Sequence, residues 1–193
     1  MGRSLIKGGN APLDYHLRKV AIELSWDADC ACDLYACAFL LDYDAATVSD
    51  GDFVFCNQPS SSCGSVLYQR VAGARVERFV VDFSKVSYEI KRIVFVATLN
   101  AAEERELHFG MIRNAAIRAV DPATGAELAL FELGPDAPAK PTLVFAELYD
   151  DYGEWQFRAL GQGYNLSIGE VARRYGVENL AVDSFNVARD AEE

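Results

Sequence analysis

The sequence predicts an all-β protein, an antiparallel two-sheet β-sandwich with a short helix near its C-terminus. Three observations lead to this prediction. About ten short runs of β-branched and aromatic residues recur along the chain, as they do in sandwiches. Turn-forming Gly, Pro, Asn and Asp residues separate these runs. Helical patterns of the kind that link the strands of a doubly wound fold are absent between them.

The first predicted strands lie in the N-terminal half. Residues 20–26 follow the turn signal Gly8-Gly9-Asn10 and alternate between apolar and other side chains, which is typical of a half-buried strand. Residues 34–41 are almost all apolar, so we expect a strand buried on both faces. Further strands are predicted at 53–57, 65–71 and 77–83, with a Ser- and Pro-rich loop at 58–64.

The second half continues in the same way. Residues 93–99 form a β-branched and aromatic run that predicts a central strand, and 101–107 predict a short helix. Turn signals at 121–125 and around Gly153 predict hairpins, and the Gly-rich residues 161–163 are interpreted as a plain turn. The remaining strands are predicted at 111–120, 126–133, 142–149 and 155–160. Ser167 and Glu170 have the spacing of a helix capping box, and Gly176 suits the helix end.

Size and charge limit the classes of function. The chain has 193 residues and a mean hydropathy of +0.01, which is enough for one globular domain. We assign residues 1–177 to the sandwich and 178–193 to a loosely packed C-terminal tail. A net charge of −11 argues against nucleic-acid binding and against an anionic membrane surface. No apolar run is long enough to cross a bilayer and no secretion signal is visible, so the cytoplasm is expected.

The acidic residues are unevenly distributed. Between Lys19 and Arg70 there is no Lys or Arg, whereas eight acids occur there: Glu23, Asp27, Asp29, Asp33, Asp42, Asp44, Asp50 and Asp52. Such a stretch is solvated, neutralised by basic residues from elsewhere in the fold, or used to hold a cation. This choice is the main functional question that the sequence poses.

Four residues are candidate metal ligands: Asp33, Asp50, Asp52 and Asn57. Calcium takes about six to eight oxygen ligands from carboxylates, amides, backbone carbonyls and water. Alternation along an extended segment would direct Asp50 and Asp52 to one side, and strand-end loops could bring Asp33 next to them. A solvated acidic rim is the competing interpretation.

The sequence gives little support for catalysis or for zinc binding. The five cysteines are an odd number and predict free thiols; a zinc site at Cys30 and Cys32 lacks paired CxxC knuckles and a nearby His. A reversible disulfide among Cys30, Cys32 and Cys63 is a further alternative to free thiols. Glu147 and Glu154 could form an acid/base pair, but charges flanking a hairpin turn explain them better. No nucleophile elbow motif occurs, so we predict a protein that is not an enzyme.

A series of short motifs occurs in order along residues 4–177. They include Lys7-Gly8-Gly9-Asn10, Trp26-Asp27, Asp33-Leu34, Asp50-Gly51-Asp52-Phe53, Asn57-Gln58-Pro59, Gly64-Ser65-Val66, Phe109-Gly110, Glu147-Leu148-Tyr149 and Gly161-Gln162-Gly163-Tyr164. In their number and order these motifs resemble one known family, the TerD proteins of tellurite resistance and stress response. The resemblance implies a β-sandwich with calcium-binding loops at one end. It also implies a cytoplasmic bacterial stress protein without enzymatic activity that works with sister family proteins.

The chain departs from the family pattern at the implied calcium loops. Where the family has Asp-Leu-Asp, this chain has Asp33-Leu34-Tyr35, and a phenol is a poor calcium ligand. The Gly- and Asp-rich loop of the family corresponds to residues 67–78, which here hold one acid and three arginines: Glu77, Arg70, Arg75 and Arg78. These arginines could replace the cation by pairing with Asp33, Asp50 or Asp52.

Two functional hypotheses follow. The first is a calcium-binding TerD-like module whose site is weakened. The second is a metal-free scaffold that binds partner proteins through the acidic loop end. The sequence leaves the oligomeric state open.

Overall fold

The computed structural model describes residues 2–27, 34–71, 75–99 and 106–179. These residues form twelve strands and one short α-helix, α1 (Ile168–Arg174). The strands are β1 (Arg3–Leu5), β2 (Asn10–Pro12), β3 (Lys19–Ser25), β4 (Leu34–Leu41), β5 (Phe53–Val54), β6 (Val66–Arg70), β7 (Val76–Asp82), β8 (Arg92–Leu99), β9 (Ala116–Val120), β10 (Glu127–Glu132), β11 (Thr142–Asp151) and β12 (Glu154–Tyr164). The all-β prediction with a short C-terminal helix is therefore confirmed.

The strands divide into two six-stranded sheets. Sheet A has the order β1-β10-β9-β3-β7-β6, and sheet B has the order β2-β12-β11-β8-β4-β5. Neighbouring strands are antiparallel except β1, which pairs in parallel with β10. The strand predicted at 34–41 has the bounds of β4, and those predicted at 20–26, 77–83 and 93–99 lie within one residue of β3, β7 and β8.

The main core lies between the sheets. Val20, Ile22 and Leu24 of β3 point into it and are at most 1% exposed, as their period of two predicts. They meet aromatic side chains from both sheets, among them Phe79 and Phe95, whose ring centroids are 5.6 Å apart. Trp26 is also buried in this cluster.

A second, smaller core covers the outer face of sheet B. Phe39 and Leu41 of β4 and Val96 of β8 lie in it together with Val171 and Ala172 of α1. Helix α1 therefore packs on the outer face of the sheet, so that both faces of β4 are removed from water. This placement explains why β4 is apolar almost throughout its length.

The predicted start and end of helix α1 are confirmed. The side-chain oxygen of Ser167 accepts a hydrogen bond from the Glu170 backbone N–H at 3.3 Å, and the Glu170 carboxylate accepts one from the Ser167 backbone N–H at 2.7 Å. This reciprocal pair is a capping box. The helix ends before Gly176, whose φ of +85° is a conformation that glycine adopts without strain.

Three sequence predictions are wrong in detail. The strand predicted at 53–57 ends at Val54, because Phe55 and Gln58 close a turn by exchanging backbone hydrogen bonds of 3.0 Å. Only Ala116–Val120 of the strand predicted at 111–120 is extended; Phe109–Met111 form a 3-10 turn. The Gly-rich residues 161–163 lie inside β12, near a break in its register with β11. Most of the helix predicted at 101–107 lies outside the described residues.

Strand β4 defines the two ends of the sandwich, which we call the Leu34 end and the Leu41 end. Leu34 pairs with Leu99 of β8, and Leu41 pairs with Arg92 at the start of β8. The eight residues of β4 separate the two ends by about 23 Å at ~3.3 Å per residue. Among the described residues, no helix has the length and apolar character needed to cross a membrane.

Replacing Val171 by Ala tests the contribution of α1 to the outer core. Val171 is 4% exposed, so we expect Val171→Ala to lower the free energy of unfolding by ~1–2 kcal/mol. Urea denaturation would measure the change. Arg173→Ala is the matched control, because Arg173 lies exposed on the same helix. Equal stability of the two variants would show that α1 does not hold the outer core.

Candidate functional site at the acidic turn

The segment 50–52 is a 3-10 turn, not an extended segment along which alternation would direct Asp50 and Asp52 to one side. Asp52 turns its carboxylate back towards the start of this turn. One of its oxygens accepts hydrogen bonds from the backbone N–H of Ser49 at 3.2 Å and from the Ser49 hydroxyl at 3.1 Å. Asp52 is only 5% exposed. The carboxylate of Asp52 therefore serves as a local cap, and the alternation that would aim it beside Asp50 is absent.

Asp50 binds the chain that follows α1. Its Oδ1 accepts the backbone N–H of Glu178 at 2.8 Å. Its Oδ2 accepts the backbone N–H of Asn179 at 3.2 Å and the Asn179 side-chain amide at 2.7 Å. These donors, the Asn179 side chain foremost, lower the pKa of Asp50 from its ordinary value. The first two residues of the predicted loose tail are thus anchored by three hydrogen bonds.

The loop before this turn is attached to the same part of the chain. Thr47 donates two hydrogen bonds to the carbonyl of Tyr175, from its backbone N–H at 2.7 Å and from its hydroxyl at 2.9 Å. Asp42 stabilises the loop itself, since its Oδ1 accepts the backbone N–H groups of Asp44 and Ala46. The acidic turn and its loop therefore hold the C-terminal end of α1.

The other two candidate ligands are Asn57 and Asp33. Asn57 is exposed in the turn that follows β5. Asp33 lies outside the described residues. Its neighbour Leu34 begins β4 at the Leu34 end of the sandwich, whereas Asp50 and Asp52 lie near the Leu41 end. Within the described parts of the chain, no group of three or more His, Cys, Asp or Glu side chains could hold a metal ion. The structure thus places Asp50 and Asp52 in one turn but does not join the described candidates into a ligand cluster.

Arg78 has a different partner from the one that the sequence suggests. Its guanidinium bonds Glu23, with Nε at 2.8 Å and Nη2 at 2.5 Å from Oε1. Arg118 bonds the second oxygen of Glu23 at 2.8 and 2.6 Å. Among the described residues, Arg78 therefore pairs with Glu23 and not with Asp50 or Asp52. Arg70 lies opposite Glu77 in the β6–β7 register.

Sequence reasoning missed this Arg–Glu–Arg group, although a signal for it exists. Val20, Ile22 and Leu24 face the core, so Glu23 points to the outer face of sheet A. Its side chain is 4% exposed there, because the two arginines flank it on the neighbouring strands β7 and β9. A carboxylate between two guanidiniums is well satisfied, so it gives no reason to infer a bound cation.

The structure also shows the positions of the two glutamates considered as an acid/base pair and of three cysteines. Glu147 is buried and bonds Arg158 at 3.0 Å, whereas Glu154 is exposed at the β11–β12 hairpin, which fits charges flanking a turn. Cys37 and Cys63 are free thiols, and burial raises the pKa of Cys37 well above its ordinary value. Cys30 and Cys32 lie outside the described residues.

Comparison with known proteins identifies the family. A family model described as the TerD domain matches residues 1–175. The chain is 35% identical to the tellurium resistance protein TerD of Serratia marcescens over 189 residues, which cover 92% of this chain and 98% of that protein. It is also 35% identical to general stress protein 16U of Bacillus subtilis over 188 residues, or 91% and 97% of the two chains.

The chain belongs to the TerD family. The TerD fold is also evident from a solved structure, a homologue of the telluride resistance protein TerD from Streptomyces coelicolor A3(2). That structure superposes with a TM-score of 0.64 at 19% identity and covers 81% of this chain and 95% of its own. The family resemblance drawn from the motifs is therefore confirmed across nearly the whole TerD domain.

Replacing Asp50 by Asn tests the anchor between the acidic turn and the end of the TerD domain. Because the folded-state pKa of Asp50 is lowered, ionised Asp50 stabilises the fold at pH values above its unfolded pKa of about 3.9. We expect Asp50→Asn to be less stable than the parent near neutral pH. The difference should disappear as the pH falls through the lowered pKa.

Thermal melting of both proteins across this pH range would measure the effect. Asp44→Asn is the matched control, because no described residue donates a hydrogen bond to the Asp44 carboxylate. Equal melting temperatures near neutral pH, or a difference that persists in acid, would contradict the assigned role of Asp50.

Proposed function

We propose that this chain is a non-enzymatic TerD-family module of stress response and tellurium resistance that acts in the cytoplasm by binding a partner protein. We further propose that donors of its own chain, and not a calcium ion, satisfy its acidic turn. The observation that carries this proposal is the Asp50 carboxylate, which already accepts three N–H groups from residues 178 and 179.

The requirements of calcium support this choice over a metal site. A calcium ion needs about six to eight oxygens converging on one point. Both oxygens of Asp50 are engaged, and Asp52 directs one oxygen into its own turn. An ion at Asp50 would therefore have to share this carboxylate with the donors of Glu178 and Asn179 or displace them. On the described residues, the donor set does not fit a calcium ion.

The calcium-binding hypothesis remains the second candidate, because the family resemblance implies it. It would use Asp33, Asp50, Asp52 and Asn57. Tyr35, in the position where the family pattern has a carboxylate, supplies only a phenol. A site of this composition would bind calcium weakly, and in this hypothesis the ion would compete with the amides that now bond Asp50.

The names of the relatives support a role outside catalysis. The similar proteins are named for tellurium resistance and general stress. The acids examined as an acid/base pair also have structural roles: Glu147 bonds a guanidinium, and Glu154 lies in the strand beside a turn. Partner binding is the mode of action that we propose for such a module.

Calcium titration of chelator-treated protein separates the two candidates. We expect no saturable heat in calorimetry and no change in melting temperature at millimolar calcium. An equal concentration of magnesium controls for ionic strength. A ligand that binds only the folded state would instead stabilise it by about 2.7 kcal/mol at a hundredfold excess over its Kd.

A saturable calcium response that Asp50→Asn or Asp52→Asn weakens would overturn the metal-free proposal. A response that neither variant alters would overturn it as well and would place the ligands outside the acidic turn.

A further inference from the structure

Four tyrosines are among the most exposed large side chains of the described residues. Their relative exposures are 78% for Tyr15, 90% for Tyr43, 83% for Tyr88 and 103% for Tyr152. An exposed aromatic ring leaves a large apolar area in water, and single instances need no explanation. Four highly exposed tyrosines in one protein do require an explanation if the fold brings them together on one surface.

The topology gathers all four at the Leu41 end. Tyr43 is the second residue after β4, and Tyr88 lies in the loop that leads into β8, whose first residue pairs with Leu41. Tyr152 lies in the turn between β11 and β12, where Tyr149 of β11 also pairs with Arg92. Tyr15 lies in the loop before Lys19, which pairs with Asp82, the last residue of β7.

Direct contacts join these loops to one another. The backbone N–H of Phe83 donates to the carbonyl of Arg18 at 2.9 Å, and that of Lys91 donates to Leu41 at 2.8 Å. The Phe83 ring stacks on Trp155 with centroids 5.3 Å apart, which links the ends of the two sheets. The loops that carry the four tyrosines are therefore connected to one another at the Leu41 end. We call the surface that they form the tyrosine end.

The charge of the tyrosine end is acidic. Three of its basic residues are ion-paired: Arg18 and Lys19 lie 3.7 and 3.6 Å from Asp82, and Lys91 lies 2.9 Å from Asp150. Two more, Lys85 and Arg92, are exposed there and form no salt bridge with any described residue. They are outnumbered by acids on the same loops and strand ends that also form no salt bridge with a described residue: Asp14, Asp42, Asp44, Glu89, Asp151 and Glu154. An unpaired acidic surface attracts a basic one and accelerates its association.

We propose that the tyrosine end is a docking surface for a protein partner that presents Arg or Lys side chains beside apolar ones. Tyrosine offers a large, rigid, amphipathic contact area at low cost in side-chain entropy, which is why it is enriched in binding loops at the end of other β-sandwiches. Its ring also attracts cations. The described residues contain two such contacts: Arg158 Cζ lies 4.1 Å from the centroid of the Tyr149 ring, and Arg174 Cζ lies 6.0 Å from that of Tyr164.

The same charges disfavour two other occupants. A second copy of this chain would bring one acidic surface against another, and like charges across an interface are repulsive. An anionic membrane would repel the surface as well. The inference rests on the proposed function, namely that the module acts by binding a partner, and it adds the site and the chemistry of that partner.

Photo-crosslinking from single positions tests the site. The photoreactive residue p-benzoylphenylalanine would replace Tyr43, Tyr88 or Tyr152 in the full chain. Met111 and Ile6, which are 52% and 82% exposed on loops outside the tyrosine end, are the control positions. Each protein would be irradiated in an extract of the organism that makes it, and the crosslinked peptides would be sequenced.

We expect the tyrosine positions to crosslink one common protein at peptides that contain Arg or Lys, and the control positions not to crosslink it. With that partner purified, Tyr43→Ser/Tyr152→Ser should weaken binding at least tenfold, and Met111→Ser should leave it unchanged. Added salt should weaken binding by the parent chain as well.

Other outcomes overturn the inference in distinguishable ways. A partner captured only at Met111 or Ile6 would refute the tyrosine end and leave the partner-binding function standing. Crosslinking to a second copy, to acidic peptides, or to no protein at all would refute the inference. Flotation with phosphatidylglycerol vesicles that depends on the tyrosines would refute it in favour of a membrane.

Discussion

Burial of sheet B on both faces is the constraint on which the rest of this structure depends. One face of β4 and β8 packs in the main core, and the other packs under helix α1. A helix of seven residues is too short to be stable on its own. It must therefore be held at its ends, by its capping box at Ser167 and by the hydrogen bonds that Thr47 and Asp50 make beyond its last turn. The acidic turn is a structural part of the second core.

The buried or anchored acids follow one rule, since each has donors from the protein itself. Glu23 lies between two arginines, and Glu147 bonds a third. Asp52 accepts hydrogen bonds from Ser49, and Asp50 accepts them from the chain after α1. An ionised group removed from water is tolerated only when such partners replace its hydration. Among the described residues, several acids without a salt bridge remain in water at the tyrosine end.

The sequence predicts features that depend on neighbouring residues and misses contacts between residues that are far apart in the chain. The bounds of β4 and the capping box of α1 depend on neighbouring residues, so patterns of two to four positions reveal them. The contact between Asp50 and Glu178 spans 128 positions, and no local pattern encodes it. Two of the missed features could have been predicted from the sequence. The spacing Ser49-x-x-Asp52 predicts a cap, and the length of the run 34–41 already separates Leu34 from the end of the sandwich at which Asp50 lies.

The outer core also has a consequence for the order in which the chain is made. Phe39 and Phe53 stack with ring centroids 4.6 Å apart and leave the ribosome early, whereas the α1 residues that cover them come more than a hundred positions later. Until synthesis is nearly finished, the nascent chain carries an uncovered aromatic surface, a state that is prone to aggregation and to capture by chaperones. Truncations that remove α1 would leave the protein permanently in this state.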